Sequence, residues 1–164
     1  MPTQLSDEAV DARIDEFVER SKELTGKAVK ERTPWNHGAT ADAIRHFAHG
    51  ISDDNPLWLD ADYAADTAYG RRVAPPTFLT SVLYPILHGA PMDAPLASLI
   101  GGVEYRWLGP ILEGDSLRAE SVQKDLFEKE SGSGRRLIFV ISEVTYRNQR
   151  DEEVASATGT MIRS

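Results

Sequence analysis

The sequence predicts an α+β fold in which an antiparallel sheet wraps around a central apolar helix, with an extra N-terminal helix and an overhanging helix-loop segment. A helix-rich first half is followed by a run of strand-patterned segments separated by short polar turns, the order expected when helices and an antiparallel sheet segregate along the chain. Residues 76 to 87, PTFLTSVLYPIL, are apolar nearly all round, so a helix there has to be covered on every side. No linker, internal repeat or low-complexity tract divides the 164 residues, and residues 1–164 are expected to form one domain. A chain of that length withdraws roughly 70% of its unfolded surface from water, which is enough for a sizeable core.

In chain order, Ser6 with Asp7 and Glu8 predicts a helix start. Val10, Ile14, Phe17 and Val18 then recur at helical spacing as far as Gly26. Residues 27 to 33 are read as a first strand and 34 to 38 as a loop. Thr40 is placed to cap a second helix, whose stripe is Ile44, Phe47, Ala48 and Ile51. The stretch SDDNPLWLDADYAADTAYGRRVAPP has only short helical possibilities, and an irregular segment that long inside a compact domain is usually a functional loop. The helix over 76 to 87 opens on Pro76 and stops near Gly89, with Pro85 as an internal obstacle to its last turns. Strands are predicted over 100 to 108, 115 to 128, 135 to 148 and 153 to 163, joined in part by the turn sequences SGSG at 131 to 134 and NQRDE at 148 to 152.

Composition removes several classes of function. The absence of cysteine excludes disulfides, thiolate metal sites and a cysteine nucleophile, and fits a reducing compartment. A net charge of −8 argues against a nucleic-acid partner, because affinity for phosphate backbones comes from clustered Lys and Arg. No apolar run is long enough to span a bilayer, and the early acids of the N-terminus lack an apolar core of the signal type, so a cytoplasmic protein without a membrane partner is expected.

Three segments carry a family resemblance. SDDNPLW at 52 to 58 follows a short helix and is similar to the Gly-Asp-any-Asn-Pro-Leu-His signature of the MaoC-like hydratase and dehydratase family. VAPPTF at 73 to 78 resembles that family's entry into its central helix. VEYRWLGPILEGDSL at 103 to 117 resembles the opening of its later strands. The resemblance is closest to the N-terminal-type dehydratase domains, and it implies the hot-dog fold, an acyl-CoA or acyl-carrier-protein thioester as substrate, and no cofactor or metal.

Adding water to a 2-enoyl thioester needs a base for the water, an acid for Cα and donors for the charge on the thioester oxygen. Carried over by position, the resemblance implies Asp53 as the catalytic carboxylate and Asn55 as the residue orienting its loop. It implies Pro76, Thr77 and Phe78 as the helix start that binds the thioester, with the amides of Thr77 and Phe78 facing its oxygen. Ser52 replaces the signature's Gly, and Trp58 stands where its His should be. An indole N–H can donate but cannot exchange a proton near neutral pH, so the dyad is incomplete in this chain.

On the residues alone, Asp53 beside Asn55 and Pro56 is also ordinary turn chemistry, and Trp58 is also an ordinary core residue. His37, His46, His49 and His88 are each read as surface or helix-end residues, and His46 with His49 lacks a third ligand for a metal. Arg71 and Arg72 could meet phosphates of a coenzyme arm, although loop arginines are commonly just solvated. The expected role is therefore a hydratase or dehydratase subunit in a hot-dog homodimer or heterodimer whose partner carries the whole Asp/His dyad. The alternatives are a self-sufficient hydratase using Asp53, or a hot-dog thioesterase, since fold does not determine chemistry.

Overall fold

Strand β3, Arg136–Arg147, alternates side chains strictly, placing Ile138, Val140, Ser142, Val144 and Tyr146 on one buried face. It pairs antiparallel with β2, Arg118–Glu130, on one side and with β4, Glu153–Arg163, on the other; β4 in turn pairs with β1, Ser98–Trp107. The sheet order is β1-β4-β3-β2. The computed structural model describes residues 7–28, 36–85 and 96–164. Among them no helix is long and apolar enough to cross a membrane.

The buried face of the sheet is covered at both ends. Helix α1, Asp7–Lys22, lays Ile14 and Phe17 against Ile138, Val140 and Met161. Arg136 fastens the outer side of α1, reaching Asp15 at 2.9 Å, Asp11 at 3.5 Å and, on β2, Glu128 at 2.5 Å. Glu128 first, and then Asp15, hold the Arg136 guanidinium above its ordinary pKa. The chain leaves α1 through Gly26, whose φ of 78° favours glycine, and whose N–H donates to Gln123 O of β2 at 2.8 Å. Ala28 makes an isolated antiparallel bridge to Val122, so the predicted strand over 27 to 33 begins beside β2, and its residues from 29 onward lie outside the described residues.

The other end of the sheet carries helix α2, Ala41–Gly50, and the apolar segment beyond it. Thr40 caps α2 as predicted, its Oγ1 accepting the Ala43 N–H at 3.1 Å. Ile44, Phe78, Leu79 and Val82 pack with Val144, Tyr146, Ala155 and Ala157 in one cluster. Phe47 meets Phe78 edge to face at 5.5 Å. Helices α3, Pro56–Leu59, and α4, Ala61–Ala65, are the short helices expected in the overhanging segment.

The central helix departs from expectation. Pro76–Ser81 is a 3₁₀ helix rather than the first half of an α-helix reaching Leu87, and residues 82–85 continue as turn and irregular chain; residues 86 and 87 lie outside the described residues. Two causes are visible. Thr80 Oγ1 donates to Thr77 O at 2.8 Å and Ser81 Oγ to Phe78 O at 2.7 Å, so hydroxyls compete for the carbonyls an α-helix needs. Pro85 then has no N–H to continue the ladder and disfavours helical backbone at Tyr84. The segment is nonetheless covered: Phe78, Leu79 and Val82 have no exposed surface. The Tyr146 hydroxyl donates to Leu83 O at 2.5 Å, and burial, with Tyr105 alongside, pushes that phenol above its ordinary pKa.

The predicted start of β2 at residue 115 is also displaced, to Arg118. Asp115 is buried in a tight loop, its Oδ2 accepting the Leu112 N–H at 2.9 Å and its Oδ1 accepting from Gln149 Nε2 at 3.0 Å. Gly114, at φ 92°, makes the reversal.

Candidate functional site

The loop bearing Asp53 is set by the end of α2. Ser52 sits in the left-handed region at φ 58°, the Asp53 N–H donates to Ala48 O at 2.9 Å, and the Ser52 N–H donates to His49 O at 3.1 Å. This is the hydrogen-bond pattern of a Schellman terminus, with Ser52 at the position glycine normally fills. A side chain there carries a steric cost that glycine avoids. Ser52→Gly is therefore expected to raise stability by about 0.5 kcal/mol, the steric relief being partly offset by the greater freedom of glycine in the unfolded chain. A higher urea midpoint at unchanged slope is the result that checks it.

Beyond the turn, Asp53 Oδ1 accepts the Asn55 N–H at 3.1 Å, and Asn55 Oδ1 accepts the Leu57 N–H at 2.9 Å as the cap of α3. Both are local turn bonds. Asp53 is half-buried, and its Oδ2 has no partner among the described residues. Asn55 thus holds the loop, while one oxygen of Asp53 remains for other work.

At the 3₁₀ helix, the Phe78 N–H donates to Pro75 O at 2.8 Å. That amide is therefore engaged within the 3₁₀ turn, and the Phe78 ring is core. The Thr77 N–H has no acceptor among the described residues, and Thr77 is exposed. Pro76 contributes its carbonyl, which accepts from Trp107 Nε1 at 3.1 Å.

Trp58 packs against the core cluster, and its indole nitrogen is covered without a partner among the described residues. No imidazole stands in for it among the described residues, where His37, His46 and His49 are all exposed; His88 lies outside them. Among the described residues no group of three or more His, Cys, Asp or Glu could hold a metal ion. Arg71 and Arg72 are both tied to Glu113, one to its carbonyl at 3.1 Å and the other to its carboxylate at 3.3 Å, and so brace the loop.

A cleft of about 220 Å³ runs between Trp58 and Trp107, with Leu57, Tyr69, Pro76 and Ile111 among its walls. Its floor is pinned from two sides, the Val73 N–H donating to Leu57 O at 3.2 Å and the Ala74 N–H to Ile111 O at 2.8 Å. Sequence reasoning reached Trp58 and Pro76 but missed the cleft. Nothing in the local pattern around Trp107 brings it to Pro76, 31 residues away.

Comparison with known proteins agrees with this architecture. Residues 24–157 match the family model for the FAS1-like, dehydratase domain region. A UPF0336 protein of Parafrankia sp. is 27% identical over 148 residues, covering 87% of this chain and 93% of the relative. Among solved structures, the ChsH1-ChsH2 complex from Mycobacterium tuberculosis aligns with a TM-score of 0.71 at 17% identity, covering 92% of each chain. A MaoC-like dehydratase from Rhodospirillum rubrum aligns at 0.65 with 24% identity, over 87% of this chain and 94% of that one. The HadBC (3R-hydroxyacyl-ACP dehydratase) complex from Mycobacterium tuberculosis aligns at 0.64 with 21% identity, over 85% and 96%. These likenesses show the fold, which is the hot-dog fold the sequence predicted.

Proposed function

The chain belongs to the family of FAS1-like dehydratase domains, and from that premise we propose that it adds water to, or removes it from, an acyl-CoA or acyl-carrier-protein thioester as one subunit of a hot-dog dimer whose partner carries a complete Asp/His dyad. The observation that carries this reading is Trp58. An indole packed against the core at the family's His position cannot carry a proton between substrate and solvent near neutral pH, and no exposed histidine on α2 replaces it.

In this reading Asp53 presents its unengaged Oδ2 to the acyl group and Asn55 keeps the loop in place. The Thr77 N–H, at the start of the buried segment, receives the thioester oxygen, with Pro76 and Trp58 as walls. Phe78 supports that helix start from the core. The proton transfer missing here comes from the partner. An interface is open for one: β1 has no outer neighbour among the described strands and exposes Leu99 and Ile100, and pairing a second hot-dog protein there would hide an unprotected edge. The ChsH1-ChsH2 and HadBC assemblies, both named as complexes, favour such a pairing.

The test is hydration of crotonyl-CoA by the purified chain, by a co-encoded hot-dog protein bearing both Asp and His, and by the two together. The chain alone is expected to be silent, and the mixture to co-elute and turn over. Turnover by this chain alone that Asp53→Asn abolishes would overturn the subunit reading in favour of a self-sufficient hydratase. Release of free thiol that depends on Asp53 would point to a thioesterase.

A further inference from the structure

We infer that Trp107 is a positioning residue for the thioester-binding amide: its indole N–H fixes and polarises the peptide group between Pro76 and Thr77, whose own N–H receives the thioester oxygen. This rests on the reading above and adds to it the residue that aims the donor. The carbonyl that Trp107 holds and the amide that Thr77 offers belong to one peptide group. Trp107 Nε1 donates to Pro76 O at 3.1 Å, while the Thr77 N–H has no acceptor among the described residues and Thr77 is exposed. A trans peptide is planar, so its N–H points opposite to its C=O, and holding the oxygen sets the direction of the amide.

The backbone leaves one hinge open at this point. The ring of Pro76 fixes φ, so the peptide that follows swings mainly about the ψ of Pro76, at the first residue of the 3₁₀ helix. In such a helix that carbonyl takes the N–H three residues on, and its second lone pair is available to an outside donor. The indole supplies that donor. A hydrogen bond accepted at the C=O also draws electron density from the nitrogen of the same peptide, and linked hydrogen bonds strengthen one another. Trp107 is itself steadied by Tyr105, on which it stacks with ring centroids 5.6 Å and planes 22° apart. Tyr146 makes the corresponding tie further along the apolar segment, its hydroxyl donating to Leu83 O. With 48% of its surface exposed, Trp107 adds less to the core than its size would allow, so its replacement leaves the fold in place.

The test compares Trp107→Phe, which keeps a ring on Tyr105 and removes the N–H, with Trp107→His, whose Nε2 stands at the place in the five-membered ring that the indole Nε1 occupies. Both are assayed for crotonyl-CoA hydration in the mixture with the co-encoded hot-dog protein. Trp107→Phe is expected to lower kcat about tenfold, less than the roughly 10²–10³ lost with a whole oxyanion donor, and to leave KM within about twofold. Trp107→His should recover most of that loss. A role in packing alone would instead lower the urea midpoint or raise KM, and His, smaller than Phe, would do no better. A second measurement needs no turnover. The C=O stretch of crotonyl-CoA labelled with carbon-13 at the carbonyl, bound to the chain alone, should lie below its value in water with wild type and return toward it with Trp107→Phe. A Trp107→Phe mixture with wild-type kcat, a loss that Trp107→His leaves as deep, or a stretch lowered equally in wild type and Trp107→Phe would overturn the inference and leave the hydratase reading standing. A wild-type stretch unshifted from water, together with no hydration in any mixture, would sink that reading and the role of Trp107 with it.

Discussion

Gly159→Ala is expected to destabilise the protein by about 1–3 kcal/mol, and Gly159→Val by more, in a chain whose whole stability should be of the order of 5–15 kcal/mol. Gly159 lies in the middle of β4, paired with Val103 on one side and Ser142 on the other, where the apolar segment crosses the sheet. A Cβ there would stand 3.0 Å from both the carbonyl carbon and the Cβ of Pro85, and 3.1 Å from its oxygen. Two of those three atoms are backbone, so the chain at Pro85 has to give by a few tenths of an ångström. Ordinary strand preference runs the other way, since glycine weakens a strand interior relative to alanine. The sign of the measured change therefore separates close packing from propensity. A Gly159→Ala urea midpoint equal to or above wild type would mean that Pro85 does not rest on β4. Loss of acyl-CoA affinity should accompany the destabilisation, because the same segment carries Thr77.

That contact also explains which parts of the fold were legible. Strands β3 and β4 announced themselves by two-residue alternation and by polar turns of hairpin length, and their bounds were read to within a residue. Helix α2 was legible because its cap and its stripe agree. The apolar segment was legible as buried but not in its conformation. A run that is apolar all round satisfies any fully covered backbone, and the choice of a 3₁₀ turn rests on hydroxyl back-bonding at Thr80 and Ser81 and on a proline seated over a glycine 74 residues later. Residues 115 to 117 were misread as strand because Asp115 is held by Gln149, a partner that local pattern does not reveal.

The site divides along the same line. Asp53, Asn55 and Trp58 were singled out through a short contiguous motif, and the structure supplies a local reason for its spacing: Asp53 ends the Schellman turn of α2 and Asn55 begins α3. Ser52 shows what the motif's glycine is for. The cleft could not be found that way, because its walls come from the overhanging segment, the 3₁₀ helix and the end of β1, which meet only in the folded chain.

Trp58→His is expected to give the isolated chain a crotonyl-CoA hydration rate at least about 10²-fold above wild type, the lower end of what a positioned general acid or base contributes. The substitution places an imidazole with an ordinary pKa of about 6.5 five positions after Asp53, restoring the family's pair. It also removes part of a large aromatic from the core, at a cost below the roughly 3–5 kcal/mol of a full truncation to alanine. Folding is therefore checked by circular dichroism and by retained butyryl-CoA binding. If the gain reflects a working dyad, adding Asp53→Asn to Trp58→His should return the rate to background, and the rate should vary with pH near the imidazole pKa. A folded Trp58→His chain that binds butyryl-CoA yet hydrates no faster than wild type would mean that Asp53 Oδ2 does not face the thioester, and Asp53 would then be a turn residue alone. Success would separate two explanations of the subunit arrangement: the chain would retain everything the chemistry needs except one side chain, and its dependence on a partner would rest on Trp58.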